Sequence, residues 1–296
     1  MSLKNSIENF MLSFFSSNLP KLNRLILLRA SEKIRLKQRK YLRLDIHLAD
    51  HCNLNCSGCE HLSPLAEEKF LSLKTFEQDC KRLYELTGGR IKEISLLGGE
   101  PLLHPEIIDF TDVARTYFKR GKIQIATNGI LLSKQPESFW KALNRNNIRL
   151  CITVYPVNID HAHIWQLGKM YKVEVIYWGN LKKMNKVWEK MPIDIHGTQN
   201  NDESFKLCYA ANYCFQLVDG KIYPCFRAAY IHYFNKKFNT ELQVTEQDYI
   251  DIYKAQTINE ILGFLCRPVP FCKYCNMKET IYTDWAVSRK KIEEWA

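Results

Sequence analysis

The chain has 296 residues, 46% of them hydrophobic and 12% aromatic, which is enough to bury the core of one barrel-sized α/β domain with a smaller appendage. Twelve glycines and ten prolines argue against a low-complexity chain, and the sequence has neither an apolar run of membrane-spanning length nor a secretory signal. We therefore expect a cytoplasmic protein. Of the net charge of +10, residues 1–40 carry +7, so no nucleic acid is expected as a partner of the nearly balanced remainder.

Residues 1–40 are predicted to form a basic, amphipathic helical arm. Apolar side chains recur there at helical spacing, at Ile7, Phe10, Met11, Phe14 and Phe15. Pro20 can open a second helix. The arm can pack its apolar face on the body of the protein, or it can dock on a membrane surface or a partner.

Between residues 41 and 180, strand patterns alternate with helix patterns. The predicted strands are 41–49, 91–97, 122–127, 147–155 and 172–178, and the predicted helices are 73–86, 105–119, 136–146 and 159–171. Ser72 can cap the first helix, and Cys80 belongs to its apolar face, so Cys80 is expected in the core. The alternation predicts parallel strands with helices outside them.

Two of these strands carry a polar face opposite an apolar one. Asp45 and His47 lie on the polar face of the first strand, and Arg149 and Tyr155 on that of the fourth. Parallel strands buried on both faces normally read as continuous apolar runs. The pattern therefore favours an incompletely closed barrel with a polar interior, where these side chains either contact substrate or satisfy internal hydrogen bonds.

The alternation stops after about residue 200. Asp219-Gly220, between two short strand-like segments, predicts a β-hairpin. A short helix is expected near 284–295. The predicted organisation is a helical arm at 1–40, a barrel at 41–200 and a small cysteine-rich α+β extension at 201–296.

Eleven cysteines in a chain of this kind indicate metal binding rather than disulfides. Cys52, Cys56 and Cys59 follow the first strand with C-x3-C-x2-C spacing. Three thiolates suit a [4Fe–4S] cube with one open iron, whereas a structural site would supply four ligands. The alternative is a zinc site with His51 or His61 as its fourth ligand.

A glycine pair ends the second predicted strand, at the same end of the sheet as the cysteines. Gly98 and Gly99 would let the backbone approach a ligand closely, and the carboxylate of Glu100 would suit an ammonium group. The third strand ends in Ala126-Thr127-Asn128-Gly129.

With CNLNCSGC at 52–59, GGEP at 98–101 and ATNG at 126–129, the region 41–180 resembles the radical S-adenosylmethionine superfamily. The resemblance implies a partial (β/α)6 barrel that holds a [4Fe–4S] cluster and S-adenosyl-L-methionine, whose cleavage yields a 5′-deoxyadenosyl radical for hydrogen abstraction. It further implies that the cofactor contacts are Gly98, Gly99, Glu100 and Asn128. The sequence departs from the family at Gly58, where an aromatic residue is usual.

A second group of cysteines can supply four thiolates to another centre: Cys208, Cys225, Cys272 and Cys275. Structural zinc and an iron–sulfur cluster both suit four thiolates. The arrangement is similar to the auxiliary-cluster extension of radical SAM enzymes in its short "twitch" form of the SPASM extension, which implies a second [4Fe–4S] cluster. Cys214 and Cys266 belong to neither set; each can replace a ligand, donate a hydrogen atom to a substrate radical or be a buried thiol.

These resemblances imply oxidation or epimerisation of a small polar substrate such as a sugar or aminocyclitol. An electron donor such as flavodoxin or ferredoxin is the expected protein partner. The catalytic candidates are Cys214, Arg149 and Tyr155. The alternatives are a peptide- or RNA-modifying radical enzyme and a zinc-binding protein without catalytic activity.

Overall fold

The computed structural model describes residues 41–182 and 187–296, so the helical arm predicted at 1–40 lies outside the described residues. The strands are β1 (Leu42–Ala49), β2 (Ile91–Gly98), β3 (Lys122–Thr127), β4 (Ile148–Thr153), β5 (Val175–Trp178), β6 (Val187–Lys190), β7 (Gln216–Val218), β8 (Lys221–Tyr223), β9 (Ile250–Asp251) and β10 (Ile281–Asp284). The α-helices are α1 (Leu73–Thr87), α2 (Ile107–Tyr117), α3 (Glu137–Arg145), α4 (His161–Met170), α5 (Asn201–Leu207), α6 (Ala210–Tyr213), α7 (Phe226–Phe238) and α8 (Ile258–Phe264).

The main sheet has the order β5-β4-β3-β2-β1-β7-β8-β9. Strands β1 to β5 are parallel neighbours joined through α1 to α4, which confirms the predicted α/β class with a parallel sheet. A sixth parallel strand, β7, lies beside β1 rather than beside β5, and β8 and β9 continue the sheet in antiparallel fashion. The cysteine-rich segment therefore extends the edge of the same sheet.

Local sequence accounts for the first β/α unit. Leu42 and Leu44 on β1 are each 1% exposed and face the helical layer. The Ser72 hydroxyl caps α1 by accepting the Thr75 amide, and Gly88 ends the helix in the left-handed conformation. Cys80 is fully buried on α1, as its place on the apolar face predicts. Across the described ranges, no helix has the length and apolarity needed to cross a membrane.

The end of the chain differs from the helix predicted near 284–295. Strand β10 pairs with β6 in a two-stranded antiparallel ribbon, and the remaining tail contains only a 3₁₀ turn at Ile292–Glu294. The tail forms backbone hydrogen bonds with the first cysteine loop instead, from Ser57 N to Ala286 O and from Ser288 N to Asn55 O. Partners in the tertiary structure thus override a weak local helical preference. The predicted hairpin is confirmed, with Val218 paired to Lys221 across the Asp219-Gly220 turn.

The ends of β1 and β2 touch through their backbones. Gly99 N donates to Ala49 O at 2.8 Å, and Glu100 N donates to His51 O at 3.0 Å. A Cβ on Gly98 would lie 2.1 Å from Ala49 O, and one on Gly99 would lie 2.1 Å from His51 O. The predicted contact of Gly98 and Gly99 with a ligand stays a prediction; in the structure the two glycines allow the close approach of the cysteine loop.

This contact predicts that Gly99→Ala disturbs the cysteine loop itself. The new methyl group would push His51 away, at a cost of about 1–3 kcal/mol in unfolding free energy, and the loop should lose bound iron. The matched control is Gly263→Ala on α8, where nothing lies within 4 Å of the added Cβ; it should be neutral or stabilising. Urea unfolding and iron analysis of both variants measure the effect, and an unaffected Gly99→Ala protein would contradict it.

Candidate functional site

The first cysteine group lies in the loop after β1, at the carboxyl edge of the parallel strands. Cys56 is buried, and Cys52 and Cys59 are partly exposed. Burial raises the pKa of the Cys52 thiol, and the charges of Cys59 and Cys56 add to that shift. The three thiols are therefore neighbours, and a bound cationic centre would be needed to hold all of them as thiolates.

Tyr155, just beyond β4, lies beside the same loop. Burial is the main cause that raises the pKa of its hydroxyl, and the charges of Cys56, Cys59 and Cys52 raise this pKa further. Its ring centroid is 6.2 Å from that of Trp285, in an edge-to-face arrangement. The structure thus brings Tyr155 to the cysteine group, where its hydroxyl stays protonated and can donate a hydrogen bond.

Glu100 is a buried carboxylate that joins the ends of β2 and β3. Its Oε1 accepts from Thr127 Oγ1 at 2.6 Å and from Leu102 N at 3.1 Å, and its Oε2 accepts from Asn128 N at 2.9 Å. Burial raises its pKa to about 7, against the hydrogen bonds that lower it. Three donors already bind this group, so its predicted contact with the cofactor amine stays a prediction.

Asn128 reaches from the end of β3 to the cysteine loop. Its Nδ2 donates to Asn53 Oδ1 at 2.7 Å and lies 3.7 Å from Cys52 Sγ. Its Oδ1 accepts the Ile130 amide at 3.0 Å. The side chain therefore orients the loop at its first thiol, which is a role that the motif alone did not reveal.

The C-terminal tail covers the other side of the loop. Trp285 Nε1 donates to Cys56 Sγ at 3.1 Å, and Trp295 Nε1 donates to Cys59 O at 2.9 Å. Gly58 has a positive φ of 66°, and a Cβ there would lie 3.0 Å from Glu294 O. This close approach explains why the usual aromatic residue is absent at position 58, since the tail packs against the space that its side chain would need.

The two histidines considered as zinc ligands have other partners. His47 Nδ1 lies 2.9 Å from Asp50 Oδ1, and His47 Nε2 lies 2.7 Å from His61 Nδ1. Although burial opposes it, the His47 contacts hold the pKa of Asp50 at about 2, so His47 donates from Nδ1 and accepts from His61 at Nε2. His51 Nδ1 accepts the Lys69 amide at 3.4 Å. The bonds of His61 and His51 each involve Nδ1 and do not involve Nε2, the other ring nitrogen through which a histidine can bind zinc.

A row of polar side chains crosses the interior face of the sheet, with Gln216, Asp45, Ser95, Gln124 and Arg149 side by side in the strand register. Gln124 Nε2 donates to Ser95 Oγ at 2.7 Å, and Arg149 Nε donates to Gln124 Oε1 at 2.9 Å. Arg149 also reaches Glu93 at 3.5 Å. Arg149 is thus part of the sheet's own network, and its contact with substrate stays a prediction.

Two atoms beside this polar row are buried without a hydrogen-bond partner, Gln216 Oε1 and Tyr230 Oη. Gln216 Nε2 donates to Asp45 Oδ2 at 3.3 Å, and the Tyr230 ring stacks on His47 at 3.8 Å between centroids. Buried acceptors and donors are normally satisfied by protein, water or ligand. A water molecule or a polar ligand group would satisfy these two atoms.

The second cysteine group gathers between the hairpin and the 272–275 turn. Burial raises the pKa of Cys225, and the charges of Cys275, Cys208 and Cys272 add to it. Burial likewise raises the pKa of Cys208 to about 12. Of these four cysteines Cys275 is buried and the other three are partly exposed. Their charges act on one another, so together they form a donor set that fits a cluster, because such a centre would supply the positive charge that their ionisation needs.

In neither cysteine group do the thiols converge on a single metal-ion position. Within 41–182 and 187–296, no three His, Cys, Asp or Glu side chains are close enough to share one metal ion. In a four-iron cube each thiolate binds a different iron, so its thiolates surround the cube and do not converge on one ion.

Two spare cysteines occupy different surroundings. Cys214 is close to Asp45 and Cys208, whose charges add to the effect of burial in raising its pKa. It therefore lies between the polar row and the second cysteine group. Cys266 is partly exposed just beyond α8.

Sequence reasoning missed three side chains of the site: Trp285, Glu60 and Arg227. Arg227 donates to both carboxylate oxygens of Glu60, at 2.9 and 3.0 Å. A single arginine in the otherwise apolar start of α7 and a glutamate directly after Cys59 were the available signals. No signal in the sequence marked Trp285, because its contact with Cys56 depends on the tertiary pairing of the C-terminal tail.

Comparison with known proteins matches residues 46–170 to the family model described as Radical SAM superfamily. The GTP 3′,8-cyclase of Clostridium perfringens (strain SM101 / Type A) is 33% identical over 153 residues, covering 50% of this chain and 46% of the relative. That of Microcystis aeruginosa (strain NIES-843 / IAM M-2473) is 32% identical over 120 residues, covering 39% and 35%. The chain thus spans less than half the length of these relatives.

Among solved structures, the crystal structure of BtrN in complex with AdoMet and 2-DOIA is similar with a TM-score of 0.51 at 18% identity. The similarity covers 86% of this chain and 97% of BtrN. It shows a shared fold that continues beyond the region matched by the family model.

Asp45 predicts a pH-dependent stability. Burial raises its pKa to about 7 from an ordinary 3.8, with Arg43 opposing the shift. The folded state therefore binds the proton more tightly, so this contribution to stability is complete below about pH 4 and is lost as the pH rises to about 7. The wild type should lose stability relative to Asp45→Asn across that window, by about 1.4 kcal/mol per pKa unit. Urea unfolding at fixed pH measures the difference; a constant difference would contradict the prediction.

Proposed function

We propose that the chain is an enzyme that reductively cleaves S-adenosylmethionine to start radical chemistry, since residues 46–170 match the Radical SAM superfamily model. The observation that carries the proposal is the gathering of three neighbouring thiols beside Tyr155 and the buried Glu100, at the carboxyl edge of the parallel sheet. The group that these residues would hold supplies the electron for sulfonium cleavage, and the protein supplies binding, orientation and exclusion of water.

Each residue of the site then has a defined task. Cys52, Cys56 and Cys59 would hold the cluster, and the open iron would take the methionyl group. Glu100 fixes the end of β3, from which Asn128 orients Cys52 and Asn53. Tyr155 offers a protonated hydroxyl beside the thiols.

We infer a second cluster at Cys208, Cys225, Cys272 and Cys275 that accepts an electron from substrate. Hydrogen abstraction would leave a substrate radical; loss of one electron to this centre and one proton to solvent would give a product oxidised by two electrons. The support is the set of four thiols whose charges act on one another. Epimerisation is the alternative, with Cys214 as hydrogen donor, since this thiol lies between Asp45 and Cys208.

The substrate class that we favour is a small polar molecule of the sugar or aminocyclitol kind. The unpartnered buried atoms of Gln216 and Tyr230 near Asp45 suit a ligand with several hydroxyl or amino groups. The similarity in fold to BtrN, whose structure contains 2-DOIA, agrees with that class.

A purine nucleotide is the second candidate, because the higher sequence identity is to GTP 3′,8-cyclases. That identity covers only 50% of this chain and 46% of the relative, so it is weaker support for a shared substrate.

Reconstituted protein should hold about eight irons, as two four-iron cubes. Replacing Cys52, Cys56 and Cys59 together by alanine should retain roughly half the iron, because the second group is intact, and should abolish cofactor cleavage. Iron analysis and chromatography of 5′-deoxyadenosine after dithionite reduction provide the measurements. Deoxyadenosine from the triple variant would show that the first loop is not the active centre.

The substrate class predicts which probe stimulates cleavage. With wild-type protein, 2-DOIA should increase 5′-deoxyadenosine formation over the substrate-free background, and the product should be lighter by two hydrogens. GTP should leave the background unchanged. Mass spectrometry of both reactions distinguishes the candidates: stimulation by GTP alone would favour the nucleotide, and a redox-neutral product carrying solvent deuterium would favour epimerisation.

A further inference from the structure

We propose that Arg227 is a positioning residue for the second cysteine centre, placing a buried cation against Cys275 that favours acceptance of an electron. The inference rests on the proposed function, because it requires these cysteines to hold an iron–sulfur cluster. It concerns the reduction potential of that centre, which the cysteine spacing does not specify.

The geometry places the guanidinium between the two cysteine groups. Arg227 Nη1 lies 3.9 Å from Cys275 Sγ. On its other side, Nε and Nη2 donate to the carboxylate of Glu60, the residue after Cys59. A further bond from Nη2 to the Met191 carbonyl fixes the planar group. Arg227 thus contacts Cys275 of the second group with one edge and Glu60, the neighbour of Cys59, with the other.

Both charges of this pair are buried. Arg227 is 4% exposed and Glu60 is 6% exposed. A buried ion pair is weak evidence for stability, since apolar side chains of similar size often serve as well. The role that we propose for the pair is therefore not stability but the placement of a positive charge beside the Cys275 thiol.

Electrostatics gives the direction of the effect. Reduction adds one electron to a cluster that four thiolates already make negative, and a nearby cation stabilises the more negative state. Glu60 opposes this effect from farther away, because the guanidinium lies between it and Cys275. The net result is a higher reduction potential at the second centre.

The test is a redox titration of reconstituted full-length protein followed by electron paramagnetic resonance. The wave that persists in the Cys52/Cys56/Cys59→Ala variant identifies the second centre. Arg227→Gln combined with Glu60→Gln removes both charges and should lower the midpoint of that wave by about 59 mV or more, a tenfold change for one electron. Arg227→Lys should shift it less.

Two further variants complete the design. Glu60→Gln alone leaves the cation without its counter-charge, so the midpoint should rise. Arg145→Gln removes the same charge from a surface pair with Asp112 and should change nothing. If the double variant loses the cluster, Arg227→Lys decides the matter: it keeps the positive charge, so a midpoint lowered by about 59 mV or more with the iron retained would overturn the role of the cation.

The outcomes distinguish a failure of the Arg227 role from a failure of the second cluster. An unchanged midpoint in the double variant with its iron retained, or a lowered midpoint in Glu60→Gln, would overturn the role of Arg227 while leaving the cluster in place. Zinc instead of iron at Cys208, Cys225, Cys272 and Cys275 in wild-type protein would overturn the second cluster itself.

Discussion

The backbone contact between the ends of β1 and β2 is the constraint on which the site depends. Because Gly98 and Gly99 lack side chains, the β2 backbone can run within hydrogen-bond distance of Ala49 and His51. That approach brings Glu100 to the end of β3, where it binds Thr127 and the Asn128 amide. Asn128 in turn reaches the cysteine loop. One steric requirement thus fixes three strand ends relative to the first thiols.

The second constraint comes from distant parts of the chain. Trp285 and Trp295 donate to the loop from the C-terminal tail, and Arg227 binds Glu60 from α7. The loop is therefore held on one side by the parallel strands and on the other by the cysteine-rich segment. This arrangement suits a metal site, whose ligands need support from neighbouring groups to keep their orientation.

The sequence predicted the parts that local patterns encode. Strand–helix alternation gave the parallel order of β1 to β5, and Asp219-Gly220 gave the hairpin, because periodicity and turn chemistry act over a few residues. The helix near 284–295 was wrong, since the tail pairs with a loop more than 200 residues earlier. For the same reason Trp285 and Arg227 could not be recognised: their partners are tertiary. Arg149 shows the converse limit, because a polar strand face does not reveal whether its groups bind each other or a substrate.

The ion pair of Glu60 and Arg227 also couples the two cysteine groups energetically. If the first loop moved away, Arg227 would remain buried without its counter-charge, and breaking a buried pair in this way typically costs about 3–5 kcal/mol. The same cost applies if α7 moves and leaves Glu60 behind. Each group therefore stabilises the position of the other, although Glu60 and Arg227 are 167 residues apart in sequence. In the function that we propose, with a radical started at one centre and an electron removed at the other, this coupling would keep the two cysteine groups at a fixed separation.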